Sequence, residues 1–129
     1  MKHKRVVLDT NVLASALMTP SGNPAKVYKM FLAEELTLVY SEEIIAEYEN
    51  VLHRQRLRIP IEDADTVLEA IRLCGDLVAP NPSTNYMPDE DDRIFYDAAK
   101  CTGAYLVTGN TRHYPNELFI LTPTQFLEK

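Results

Sequence analysis

The sequence predicts an α/β domain, a three-layer α/β/α sandwich around a parallel sheet of about five strands. Short apolar runs alternate with helical patterns along the chain, which is the signature of strands joined by crossover helices. Parallel crossovers are right-handed, so helices on both faces are the economical topology. The 129 residues carry no repeat, low-complexity tract or dividing linker, and 46% hydrophobic with 25% charged residues is ordinary globular composition. One domain, spanning 1–129, is the expectation.

The strands are expected at residues 6–8, 37–40, 77–78, 105–108 and 119–121. Helical periodicity covers 24–33, 42–56, 61–73 and 92–101. Pro20-Ser21-Gly22-Asn23 and Asn81-Pro82-Ser83-Thr84-Asn85 read as loops from their Pro, Asn and Ser content. No apolar run approaches the ~20 residues of a membrane span. The basic opening Met1-Lys2-His3-Lys4-Arg5 leads into an apolar segment that breaks at Asp9, too soon for a signal-peptide core. A cytoplasmic protein follows, and Cys74 and Cys101, unclustered and in helical segments, read as reduced core thiols.

The net charge of −6 excludes nucleic-acid binding by bulk attraction, because phosphate affinity comes mainly from Lys and Arg. Either nucleic acid is not the partner, or the acids gather at a site that a divalent metal neutralises.

The first strand, Arg5-Val6-Val7-Leu8, delivers Asp9-Thr10-Asn11 at its carboxyl end, where ligands collect in open α/β sheets. An Asx-turn or helix cap is the plain alternative for Asp9. In the helix after Ser41, an N-cap candidate, Ile44, Ile45, Tyr48, Val51 and Leu52 fill one arc; Glu42 and Glu49 face solvent. Glu47 falls at the border of the arc, roughly 40° from Val51. The later acidic helix opens Asp89-Glu90-Asp91-Asp92. Acids there complement the helix dipole, which accounts for Asp89 and Glu90. With Phe95, Ala98 and Ala99 buried, Asp91 and Asp92 flank the buried face, while Asp97 points away with Arg93 and Lys100. After the fourth strand, Thr108-Gly109-Asn110 reads as a turn that would bring Thr108 and Asn110 beside Asp9. His113 is a candidate base or ligand, though a single loop histidine is more often neither.

Asp9, Glu47 and Asp92 thus come from distant segments to one sheet edge. Like charges that close repel unless a cation lies between them. Oxygen donors without a His or Cys cluster suit Mg²⁺ or Mn²⁺ and not zinc. A carboxylate-held divalent ion is suited to phosphodiester hydrolysis.

These residues together resemble the PIN-domain ribonucleases. The resemblance runs through Val7-Leu8-Asp9-Thr10-Asn11-Val12-Leu13, Ser41-x-x-Ile44-x-x-Glu47-Tyr48-x-x-Val51-Leu52, Asp89-x-Asp91-Asp92-x-x-Phe95 and Gly103-Ala104-Tyr105-Leu106-Val107-Thr108-Gly109-Asn110. The chain is most similar to the single-domain branch that includes the VapC toxins of toxin–antitoxin pairs. The resemblance implies a five-stranded PIN-like sandwich and metal-dependent RNA cleavage. It implies Asp9 and Asp92 as Mg²⁺ or Mn²⁺ ligands, with Glu47 completing the acidic cluster through a second metal or the attacking water. Thr10 and Asn11 would fix the Asp9 loop, and Thr108 would support the site. Asn110 stands where many relatives have an acid, so a second metal should bind weakly and activity should be low. A catalytically weak PIN fold acting as a binding module is the alternative this departure raises.

Phosphate contacts away from the metal fall to Arg54, Arg56 and Arg58, which serve equally well as helix C-terminal cations. Relatives of the toxin class form homodimers and are inhibited by an antitoxin peptide. Tyr28, Met30, Phe31 and Leu32 could serve such a surface or belong to the core. Two phosphoryl-transfer folds that also place an Asp after the first strand fit less well. A haloacid-dehalogenase-type phosphatase wants an Asp where Asn11 stands, and a receiver domain wants an acidic pair at the first strand.

Overall fold

The structure, a computed structural model, describes residues 4–129; the opening Met1, Lys2 and His3 lie outside the described residues. Five strands, β1 (Lys4–Leu8), β2 (Leu36–Tyr40), β3 (Asp76–Leu77), β4 (Tyr105–Val107) and β5 (Ile120–Leu121), form one sheet in the order β3-β2-β1-β4-β5. Every pairing is parallel. Helices α1 (Thr10–Met18), α2 (Asn23–Leu32), α3 (Glu42–Leu52), α4 (Ile61–Cys74), α5 (Arg93–Thr102) and α6 (Pro123–Leu127) flank it, giving the expected three-layer α/β/α sandwich. Among the described residues no helix is long and apolar enough to cross a membrane.

The strand order fixes where a site can form. Succession runs outward from β1 through β2 and β3, then reverses to β4 and β5 on the other side. The reversal falls between β1 and β4, and in such sheets the crevice at the switch point lies beyond the strands' carboxyl ends. The register pairs Leu8 with Val107, so Asp9 and Thr108 emerge side by side there. Val6, Val7 and Leu8 are buried, as a central parallel strand covered on both faces requires.

Local chemistry sets the helix boundaries. Asp9 caps α1 by accepting from Asn11 N, a helix that hydrophobic periodicity did not bring out because its nine residues offer only Asn11 and Ser15 as an exposed polar side against Val12, Leu13, Ala14 and Ala16, which are buried. Ser41 caps α3, its hydroxyl accepting from Ile44 N at 3.2 Å. The expected helix 42–56 stops at Leu52. A separate 3-10 turn, Gln55–Leu57, follows, and Arg58 takes a left-handed conformation at φ 56° as the chain reverses into α4. Gly75 ends α4 where a Cβ would stand 2.5 Å from Ile71 O, so only glycine lets β3 begin there. A capping box between Thr122 and Gln125 starts α6.

The structure changes the expectation for the cysteines and for Asp97, and decides the one left open for Tyr28, Met30, Phe31 and Leu32. Cys74 and Cys101 are free but exposed, because each occupies the solvent side of its helix near the C-terminus. Tyr28 and Phe31 belong to the core, Met30 is half-buried and only Leu32 is exposed. Asp97 does not point to solvent: it is buried and accepts from Ser83 N at 3.2 Å, since the segment 80–89 folds back over that side of α5.

Candidate active site

Asp9 leaves the end of β1 with only 7% of its surface exposed. Its Oδ1 accepts from Asn11 N at a long 3.4 Å. Its Oδ2 accepts from the Thr108 hydroxyl at 2.9 Å and from the Tyr114 hydroxyl at 3.0 Å. Asp9 is therefore both the helix cap and the centre of a buried polar cluster. Thr108 stands where the sequence placed it. Tyr114 did not emerge from the sequence, and nothing in its own segment marks it, because the contact joins residues 105 positions apart.

Asp92 reaches the same edge from a 3-10 turn, Glu90–Asp92, that Asp89 caps by accepting from Asp91 N at 3.0 Å. Asp91 is exposed and Asp92 half-buried, so Asp92 is the one directed inward. Burial, then the Asp9 carboxylate, push the Asp92 carboxyl up to about 6; Asp89 and Asp91 add to this and His113 opposes it. The same field raises two neighbouring phenols. Burial first and Asp9 second push the Tyr48 and Tyr114 hydroxyls upward, so both remain proton donors. Tyr48 donates to Leu8 O at 2.5 Å and pins the end of β1 to α3.

Among the described residues, two buried side-chain oxygens have no hydrogen-bond partner, Thr10 Oγ1 and Asp92 Oδ2. Both lie at this edge. Unsatisfied buried oxygens are costly, and next to a second carboxylate they are the donors a hard cation would satisfy. The donor set is all oxygen, which fits Mg²⁺ or Mn²⁺.

Glu47 is half-buried in the second turn of α3, next to Tyr48, which reaches Leu8 O, but among the described residues no polar contact links it to Asp9 or Asp92. Among the described residues no three His, Cys, Asp or Glu side chains stand close enough to hold one ion. The structure thus brings Asp9 and Asp92 together and leaves Glu47 outside the pair. Thr10 is buried beside Asp9, whereas the Asn11 side chain is exposed and only its backbone N–H serves the site.

Asn110 does not touch Asp9. Its backbone N–H donates to Thr108 Oγ1 at 3.1 Å, and its Oδ1 accepts from Arg112 N at 3.2 Å, capping the 3-10 turn Thr111–His113. That contact fixes the amide, so Nδ2 donates to His113 Nε2 at 3.0 Å. The other ring nitrogen, Nδ1, faces Asp92 Oδ2 at 3.5 Å. Arg54, Arg56 and Arg58 lie beyond the far end of α3, about 16 Å of helix from the sheet edge. Arg112, exposed and without an ion pair among the described residues, is far nearer in the chain to the acids' contacts.

Two neighbouring carboxylates thus stand at the switch point of a small parallel α/β sheet. Residues 5–112 match the family model described as PIN domain, and the chain belongs to that family. It is 29% identical over 109 residues, 82% of this chain and 70% of the relative, to the uncharacterized protein MJ1680 of Methanocaldococcus jannaschii. In fold it is similar to solved structures: a chain of VapBC2 from Rickettsia felis, crystallised with a DNA fragment from their promoter, superposes with a TM-score of 0.59 at 18% identity, covering 91% of this chain and 96% of that one. PAE2754 from Pyrobaculum aerophilum superposes with a TM-score of 0.61 at 16% identity, covering 98% and 88%.

Proposed function

We propose that this protein is a divalent-metal-dependent endoribonuclease, acting in the cytoplasm as the toxin of a toxin–antitoxin pair. The observation that carries the reading is the buried Asp92 Oδ2 beside the Asp9 carboxylate at the switch point, which accepts no hydrogen bond and has only His113 Nδ1 facing it, at 3.5 Å. Asp9 and Asp92 would hold Mg²⁺ or Mn²⁺, with Thr10 Oγ1 as a further oxygen donor. The ion, when bound, supplies positive charge for a phosphoryl oxygen and lowers the pKa of a water. The chain's own residues do the rest. Thr108 and Tyr114 orient Asp9, and Asn110 holds His113 with its Nδ1 toward Asp92. Arg112 supplies a cation near the site for phosphate, and Arg54, Arg56 and Arg58 could meet only a substrate that extends along α3. Glu47, outside the pair, would act through ordered water or a second, weaker ion.

An antitoxin and a second copy of the chain are the partners this reading assigns. Met18 and Leu32, both more than half exposed where α1 and α2 end, offer apolar surface for one of them.

The experiment is RNA cleavage by the purified protein with Mn²⁺, with Mg²⁺ and in excess EDTA, alongside Asp9→Asn, Asp92→Asn and Glu47→Gln. Cleavage should need the metal, vanish in the first two variants and fall in the third. Equal cutting in EDTA would end the metal-site reading. Expression in a bacterial host should arrest growth and be rescued by a short neighbouring reading frame; normal growth at high expression would count against a toxin. The second reading, a weakly active PIN fold serving as a binding module, draws on the neutral Asn110 and would be favoured by absent Mn²⁺ binding at millimolar concentration.

A further inference from the structure

The turn after β4 delivers two side chains to the acid pair, and one of them has a task beyond packing. Tyr114 is 4% exposed, and its hydroxyl has Asp9 Oδ2 as its hydrogen-bond partner. The Thr108 hydroxyl donates to the same oxygen. A carboxylate oxygen has two lone-pair directions, so two hydroxyl donors at 2.9 and 3.0 Å fill Oδ2. Oδ1 keeps only the long 3.4 Å contact from Asn11 N.

We propose that Tyr114 is a positioning residue which, with Thr108, occupies Oδ2 of Asp9 and so lets Asp9 meet a divalent cation through Oδ1 alone. The inference rests on the acid pair being the metal site proposed above. Its consequence is ion selectivity. Mg²⁺ and Mn²⁺ take octahedral sets in which each carboxylate gives one oxygen, whereas Ca²⁺ accepts larger, looser sets that include bidentate carboxylates. A site that withholds one oxygen of Asp9 disfavours Ca²⁺. The chain geometry supports this division of labour. Tyr114 N donates to Thr111 O at 3.2 Å as it leaves the same 3-10 turn that brings His113 toward Asp92, so one short turn sets the orientation of both acids.

The test is calorimetric titration of Mn²⁺ and of Ca²⁺ into the full chain, for the wild type, Tyr114→Phe and Thr108→Val, with thermal melts run in parallel. Phenylalanine keeps the buried ring and valine keeps the threonine shape, so each variant removes one donor from Oδ2. We expect Mn²⁺ to bind about tenfold more weakly to either variant, as losing a partner of a metal ligand commonly does. Ca²⁺ should lose less, so the preference for Mn²⁺ over Ca²⁺ narrows. A lowered melting temperature alone would not move that ratio. Wild-type Mn²⁺ binding with an unchanged ratio in both variants would overturn the role of Tyr114 and leave the metal site standing. A wild type that binds no Mn²⁺ would overturn both.

Discussion

Asp92 is ionised at neutral pH in a position that resists its charge. Its carboxyl is raised from 3.8 to about 6 by burial and by Asp9, so the folded chain binds that proton more tightly than the unfolded chain does. The sign of the linkage follows: the residue is neutral to stability below about pH 4, and its penalty grows through the interval up to about pH 6 and is complete above it. In EDTA, Asp92→Asn should therefore be more stable than the wild type near neutral pH. The gain should be about 1–2 kcal/mol, below the full value of a two-unit shift because part of the side chain meets solvent. Near pH 4 the two proteins should melt alike. The same variant should lose RNA cleavage, so stability and function oppose each other at this one residue. Melting curves in EDTA at the two pH values decide it, and a wild type at least as stable as the variant at neutral pH would show that the carboxylate is not strained. Metal binding should weaken below about pH 6 for the same reason, as protons compete for Asp92.

At the scale of elements, the acidic 3-10 turn is held by a clamp. Arg93 donates to both Glu90 carboxylate oxygens at 2.7 Å, to Ser83 O and Oγ at 3.0 and 2.8 Å, and to Asn85 O at 2.7 Å, while Asp97 receives Ser83 N. These bonds tie the segment leading from β3 to the start of α5, which carries Asp92. Arg93→Ala should loosen the turn without unfolding the domain. Hydrogen exchange across residues 83–92 should speed by about tenfold or more, as expected when local opening is eased by ~1.4 kcal/mol. RNA cleavage should fall as Asp92 loses its fixed position; unchanged exchange in that segment would refute the clamp. The clamp also explains what the sequence could and could not reveal. A wheel drawn on α5 alone finds Phe95, Ala98 and Ala99 inside, and correctly sets Asp92 beside them. It misplaces Asp97, because the cover over that side comes from a loop that no helical period describes. Asp9 and Thr108 were legible because strand ends announce themselves in apolar runs. Tyr114 was not, since its partner is brought to it only by the parallel pairing of β1 with β4. Helix α1 was missed because it is short and only Asn11 and Ser15 mark its polar side, although its cap, Asp9, was in plain view.

For the whole molecule, the question is how a chain of net charge −6 approaches RNA. At the switch point the nearest charges are Asp9 and Asp92, and the cations of the 54–58 segment stand a helix length away. Without a divalent ion the edge that should receive the phosphate repels it. With one, the charge of the acid pair is neutralised and the ion itself can take a phosphate oxygen where the substrate must bind, while the acidic remainder of the surface discourages binding elsewhere. Association with a short single-stranded RNA should therefore depend on metal in a way that general electrostatics does not mimic. Fluorescence anisotropy should show at least tenfold tighter binding with Mn²⁺ than in EDTA at matched ionic strength, and this enhancement should disappear in Asp9→Asn. The salt dependence should be shallow, because each phosphate contact contributes a slope of only about 0.7 on single strands and few cations stand near the site. Arg112→Ala should reduce that slope by about one contact. Tight, steeply salt-dependent binding in EDTA would mean that the RNA is held by a basic surface elsewhere, and that the acid pair has another role.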